Sequence, residues 1–324
     1  VGSAATGART YTATSSQGLA LMHEILFIAA SLRLPIVMTI ANRSLSGPIS
    51  IWNDHSDIMS EREIGWIQIF AENGQEALDL SVLAFKIAED KRVLLPMGVN
   101  LDGFMLTHMI EPIIFPEQAE VDAFLPPFAP QLVLDPAKPV TMGPVGVPEV
   151  YIEAKVQCEQ ALLNSKAVVK EVLDDWGKAF GRQYNLVETN GKADAAVRFV
   201  TMGSQGETTM TAVDGLIAEG KDVSQVRLRL WRPFPTEEIL AACKGAKTLI
   251  VIDRALSPGG VRGPVASELA SLFYGRPDAP QIVNVVAGLG GRDVSVSEFK
   301  DMYDQAVAGT LTGNYTIWGV CSHA

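Results

Sequence analysis

Pro35-Ile36-Val37-Met38-Thr39-Ile40, followed at once by Ala41-Asn42-Arg43-Ser44-Leu45-Ser46-Gly47-Pro48-Ile49-Ser50-Ile51-Trp52-Asn53-Asp54-His55-Ser56-Asp57, is the stretch that decides the fold. The first six residues have the length and β-branched content of a buried strand, so the polar residues after them fall at its carboxyl end. Open α/β sheets bind their ligands at that edge. Arg43 is the most informative residue there, because a guanidinium presents a planar fork of donors that matches a carboxylate.

Outward from this stretch, strand and helix patterns alternate. Thr10 to Thr14 is β-prone, and Ser15-Ser16-Gln17-Gly18 opens a run from Leu19 to Ala30 that is apolar nearly all round, which predicts a buried helix. Ile67 to Phe70 reads as a short strand, Asn73 as the cap of a helix to Ala88, and Val93 to Val99 as another strand. Glu111 to Glu149 lapses into a proline-rich arm expected to link units or wrap a neighbour. Tyr151 to Phe180 regains helical spacing, with Val156, Ala161, Val168, Val172 and Trp176 on one face.

A second alternating unit follows. Strands are expected at Ala196–Met202, Val223–Leu230, Thr248–Ile252 and Ile282–Val286, with helices at Glu207–Ala218, Thr236–Cys243, Val261–Tyr274 and Ser297–Val307. The tail, Ala308 to Ala324, has no clear periodicity. The chain is therefore of the α/β class, with mainly parallel sheets, divided into residues 1–110, an arm and bridging helix over 111–192, and a second unit over 193–324.

Composition narrows the function classes. Among 324 residues, 48% are hydrophobic and 19% charged, which is ample for packed cores. The net charge of −11 argues against a nucleic-acid surface and offers no basic stripe to an anionic membrane. No apolar run reaches the roughly 18 residues of a membrane-spanning helix. Cys158, Cys243 and Cys321 are too scattered for a disulfide framework, a zinc site or an iron–sulfur site, which suits a reducing cytoplasm. They read as packing residues, and Trp52, Trp66 and Trp231 as core or interface anchors.

Single side chains have bland and sharp readings. Asn53, Asp54, His55 and Asp57 are consecutive enough to suggest a metal cluster, but a network supporting the Arg43 loop is favoured and no metal site is assigned. Ser15, Ser16 and Gln17 either approach a cofactor through free amides or form a plain helix cap. His23 reads as a buried, hydrogen-bonded histidine. Gly288-Leu289-Gly290-Gly291 lacks nucleotide-loop spacing and reads as a tight turn across which Arg292 and Asp293 could pair.

Six segments in order and register resemble the alpha subunit of pyruvate:ferredoxin oxidoreductase: Ala13 to Leu19, Ala41 to Ile49, Trp52 to Asp57, Leu101-Asp102-Gly103-Phe104, Arg232-Pro233-Phe234 and Ala287 to Asp293. The resemblance runs from Val1 to about Val307. It implies a pyrimidine-type thiamine diphosphate domain followed by a transketolase C-terminal-like α/β domain. It further implies oxidative decarboxylation of pyruvate or a related 2-oxo acid, with coenzyme A as co-substrate and ferredoxin as electron acceptor. Arg43 stands in the family's position for the substrate carboxylate. Thiamine diphosphate would be shared with a partner, while magnesium and [4Fe-4S] clusters would reside in beta, gamma and delta subunits of a cytoplasmic hetero-oligomer. The family's activating glutamate lies upstream of the segment matching Val1, so the first domain is expected to lack its amino-terminal part here. Two alternatives stay open: a non-catalytic scaffold docking an iron–sulfur partner, and an enzyme for a branched-chain 2-oxo acid or oxalate.

Overall fold

The computed structural model describes residues 1–311 and 313–321, so Thr312 and residues 322–324 of the tail lie outside it. Eleven strands occur among the described residues: β1 (Thr10–Thr14), β2 (Ile36–Asn42), β3 (Ile67–Phe70), β4 (Met97–Asp102), β5 (Val187–Gly191), β6 (Val197–Met202), β7 (Val223–Leu228), β8 (Leu230–Arg232), β9 (Thr248–Asp253), β10 (Gln281–Val286) and β11 (Thr316–Ile317). They form two sheets, ordered β1-β2-β4-β3-β8 and β11-β10-β9-β6-β7-β5. Each sheet is parallel except at one edge, where β8 runs antiparallel to β3 and β5 antiparallel to β7. This is the α/β class that alternating patterns predict.

The sheets are joined by one residue. The pattern predicts a single strand over Val223–Leu230, but Arg229 divides it between the two sheets. Its N–H and that of Leu230 both donate to the Leu186 carbonyl, while its own carbonyl accepts from Phe70 in the first sheet. The Arg229 side chain is 1% exposed and bonds Glu76 and Glu188 at 2.6 Å each, which holds the crossing in place. Apolar burial continues across this seam: Leu26, Trp66 and Phe70 of the first unit share a core with Met202, Leu228 and Trp231. The outer face of the first sheet is covered by helices Gly74–Ala88 and Pro148–Phe180, and that of the second by Gln205–Ala218 and Val296–Ala308.

Local signals account for most element ends. Asn73 Oδ1 accepts from Glu76 N at 2.9 Å, as its cap position predicts. Ser295 and Glu298 form a reciprocal capping box, and Gly181 ends the 33-residue helix in the left-handed region at φ +71°. Pro264 starts its helix at the first turn, where a missing N–H has no cost.

Four expectations are corrected. The helix over Leu19–Ala30 is two, Gln17–Leu21 and His23–Ser31, and only one stripe faces the sheet; Leu26, Ala29 and Ala30 are buried while Leu21 is 89% exposed. The side chain of His23 is 55% exposed, with Nδ1 2.6 Å from the buried Glu61 carboxylate. The strand expected at Val93 begins instead at Met97, because Pro96 cannot donate to a ladder and the carbonyls of Val93 and Leu94 accept from the Arg33 guanidinium. Val156 is exposed, since the long helix starts at Pro148 and its first turns project from the body.

The proline-rich arm wraps over the chain's own first unit. Phe124 is buried against Trp176 and Phe180, the Pro126 carbonyl accepts from Arg9, and Leu134 N donates to Ala5. In the tail, β11 pairs with Val285 and Val286, while Cys321 is exposed rather than packed. No described helix is long and apolar enough to cross a membrane.

Candidate active-site edge

Because β1 and β2 are parallel neighbours, with Thr14 opposite Ile40, the residues that follow each strand meet at one edge. Ser15 and Arg43 are brought together there. Arg43 Nε and Nη2 both donate to Ser15 Oγ, at 3.0 and 2.6 Å. That occupies one edge of the guanidinium; among the described residues Nη1, on the other edge, has no partner. Gly103 gives the side chain its room, since a Cβ there would lie 2.6 Å from the Asn42 carbonyl and 2.8 Å from Arg43 Cγ.

Ser16 is fully buried and adopts φ +47°, ψ −119°, a backbone region that disfavours side-chain-bearing residues. Its amide is not free, as a ligand-binding helix start requires; it donates to Asp57 Oδ2 at 2.9 Å. Ser16 Oγ donates to the Ser44 carbonyl at 2.5 Å, and the exposed Gln17 donates to Ser46 Oγ at 2.6 Å. The three residues named from the sequence thus all contact the Arg43 segment.

The run Asn53 to Asp57 divides its work. Asp57 bonds the Arg43 side of the site, and burial raises its carboxyl to about 6 despite the opposing N–H donors of Arg43 and Ser16. Asp54 Oδ1 accepts from Ser56 N and Oγ. His55 turns away, with Nε2 2.7 Å from Asp102 Oδ1.

Asp102, at the end of β4, is the residue that single-segment reading missed. It is completely buried and accepts from Ser204 N at 2.8 Å, Ser204 Oγ, and Arg254 Nη1 at 2.7 Å, so it ties the first sheet to loops of the second. Burial alone would push its carboxyl up, but Arg254 and then His55 outweigh that and hold it well below the usual carboxylate range. The available signal was positional: Asp102 ends a strand, Arg254 directly follows one, and Ser204 comes two residues after one.

The glycine turn after β10 closes the other side. Gly291 N donates to the Asn53 carbonyl at 2.7 Å, and at φ +75° a Cβ would sit 2.4 Å from Trp52 Cβ. Leu289–Gly291 is the expected tight turn, and among the described residues no ion pair joins Arg292 to Asp293. Trp52 also lies 5.1 Å from the Phe104 ring. Between the units is a cleft of about 430 Å³ lined by Glu72, Met105, Met109, Ser204, Arg254 and Asp293.

In chemical terms, the edge offers a half-buried guanidinium whose Nη1 has no partner among the described residues, small hydroxyls, and a neutral amide. That set fits a substrate carboxylate and the uncharged aminopyrimidine end of thiamine diphosphate. It does not fit the diphosphate, since the carboxylates of Asp57 and Asp102 stand at the same strand ends.

Residues 1–174 match the family model described as pyruvate flavodoxin/ferredoxin oxidoreductase, thiamine diphosphate-binding, and residues 195–299 match pyruvate:ferredoxin oxidoreductase core domain II. Pyruvate synthase subunit PorA of Pyrococcus horikoshii is 48% identical over 302 residues, which cover 93% of this chain and 76% of that protein. Among solved structures, a 2-oxoglutarate:ferredoxin oxidoreductase from Magnetococcus marinus superposes with a TM-score of 0.63 at 20% identity, covering 96% of this chain and 55% of that one. A split-gene transketolase superposes with a TM-score of 0.52 at 11% identity, covering 93% and 76%, so these two likenesses concern the fold.

Proposed function

The chain belongs to the pyruvate:ferredoxin oxidoreductase alpha-subunit family, and from that premise we propose that Arg43 binds the carboxylate of the 2-oxo acid which the enzyme oxidatively decarboxylates. The reaction converts pyruvate and coenzyme A to acetyl-coenzyme A, carbon dioxide and a proton, with the two electrons released passing to oxidised ferredoxin, which is reduced. The observation that carries the site assignment is the divided guanidinium of the half-buried Arg43: Ser15 holds one edge, and among the described residues Nη1 on the other edge has no partner. Held there, a 2-oxo acid presents its neighbouring carbonyl in one orientation, which removes rotational freedom before reaction.

Thiamine diphosphate, when bound, would supply the nucleophilic carbon chemistry, and Arg43 would hold the substrate carbonyl toward it. Ser15 and the exposed Gln17 would stand toward the cofactor's aminopyrimidine side, whereas Ser16, buried with its N–H bonded to Asp57 and its hydroxyl to Ser44, serves the backbone between them. Arg43 loses its anion when carbon dioxide leaves, so its contribution is to binding and orientation rather than to electron transfer. The segment Ser44 to Ile49 is small and carries no second cation, which favours methyl over a second carboxylate on the substrate.

The remaining functions belong to partners. Magnesium, the diphosphate and the [4Fe-4S] clusters are held by beta, gamma and delta subunits of a cytoplasmic hetero-oligomer that delivers electrons to ferredoxin. Within the chain, residues 1–110 would form the pyrimidine-type unit, 111–192 the arm and bridging helix, and 193–324 the second unit, except that β5 at the end of the middle segment adds to the second sheet and β8 returns to the first. Against a purely scaffolding role stands the arm itself, which packs on its own unit.

The test is Arg43→Ala in the copurified complex, followed by pyruvate-dependent viologen reduction. KM for pyruvate should rise by about tenfold to a hundredfold, the worth of one or two hydrogen bonds to a charged group. Unchanged KM and kcat would remove Arg43 from the reaction. A panel of pyruvate, 2-oxoisovalerate, 2-oxoglutarate and oxalate should show pyruvate preferred.

A further inference from the structure

Asp57 is 1% exposed, yet its carboxylate joins segments that are far apart in sequence. Oδ2 accepts from Ser16 N at 2.9 Å and from Arg43 N at 3.0 Å, so one oxygen sits between the ends of β1 and β2. Oδ1 accepts from Asn42 Nδ2 at 3.1 Å and from Ile58 N at 2.7 Å, which fixes the carboxylate's rotation. All four partners are donors. Only an ionised carboxylate satisfies them, because an amide in its place would turn an NH2 group against two N–H groups.

We propose that Asp57 is a positioning residue for the 2-oxo acid: by bonding the amides of Ser16 and Arg43 it sets the spacing between Ser15 and the Arg43 guanidinium. This rests on the assignment of Arg43 to the substrate carboxylate. The strained backbone of Ser16 supports it, since φ +47° persists only where surrounding bonds over-determine the conformation, and two of those bonds are Ser16 N to Asp57 and Ser16 Oγ to Ser44. Asp57 itself touches neither substrate nor cofactor on this reading. It acts through Arg43, whose side chain is confined on its far side by Gly103.

The experiment compares Asp57→Asn, Arg43→Ala and the double variant as assembled complexes, with KM for pyruvate, coenzyme A and ferredoxin measured separately from kcat. Asp57→Asn should raise KM for pyruvate about tenfold, the value of one charge-assisted hydrogen bond. KM for coenzyme A and ferredoxin should be unmoved. The double variant should show no rise beyond Arg43→Ala alone, because the effect passes through that side chain. A multiplicative double variant, or a rise in all three KM values, would overturn the proposal. If Asp57→Asn does not assemble, Asp57→Glu, which keeps the charge but displaces the carboxylate from the Ser16 and Arg43 amides, must show the selective pyruvate effect; an unchanged KM there also overturns it. Should Arg43→Ala itself leave KM unchanged, the substrate assignment fails. Should Arg43→Ala raise KM while Asp57→Asn does not, only the role of Asp57 fails.

Discussion

Replacing Asp102 by Asn should loosen the two units from each other, and the size of the effect follows from what the carboxylate holds. Asp102 is fully buried, and the Arg254 side chain beside it is only 4% exposed. The substitution keeps the shape, so no cavity term enters, but it leaves Arg254 without its counter-charge and turns an NH2 toward the donors of Ser204 or toward His55. Breaking a buried pair in this one-sided way costs about 3–5 kcal/mol. At about 2 °C per kcal/mol for a chain of this size, the melting temperature should fall by roughly 6–10 °C. Scanning fluorimetry of the purified protein measures it. The double variant Asp102→Leu/Arg254→Met, which removes both charges, should recover part of the loss, because the penalty lies in the orphaned guanidinium. A melting temperature within about 1 °C of wild type for Asp102→Asn would refute this reasoning, as would a double variant that loses the sum of its parts.

Two further outcomes are expected. Asp253 is buried and caps the helix starting at Pro264 by accepting from Val265 N and Ala266 N, and burial raises its carboxyl to about 6. A raised carboxyl means the folded chain holds the proton more tightly than the unfolded one, so wild type should lose about 2–3 kcal/mol relative to Asp253→Asn as pH rises from about 4 to about 6. Denaturation midpoints compared at pH 4.5 and 7 check the sign, and a difference constant with pH counts against it. Phe124→Ala should cost about 3–5 kcal/mol locally by emptying the contact with Trp176 and Phe180. Limited proteolysis should then cut the arm between residues 111 and 149 faster than in wild type, and equal rates would mean that Phe124 does not anchor it.

The residues themselves specified the strand–helix alternation, the Asn73 cap, the stop at Gly181 and the placement of Arg43 at a strand's carboxyl end. Each is a short-range property, decided by side-chain periodicity, a missing N–H or a permitted φ within a few positions. The family resemblance added a role for Arg43, and the helix-start pattern one for Ser15 to Gln17, but neither gave their contacts. Helix faces were less legible, because an all-apolar run such as Leu19 to Ala30 does not mark which stripe meets the sheet. Only the tertiary structure decided that Arg229 would pass one strand from sheet to sheet, that Asp57 would bond Ser16 across 41 residues, and that Asp102 would meet Arg254 across 152. The reason is physical: a buried carboxylate is tolerable only where the fold gathers donors around it, and sheet order, not local sequence, determines which strand ends become neighbours.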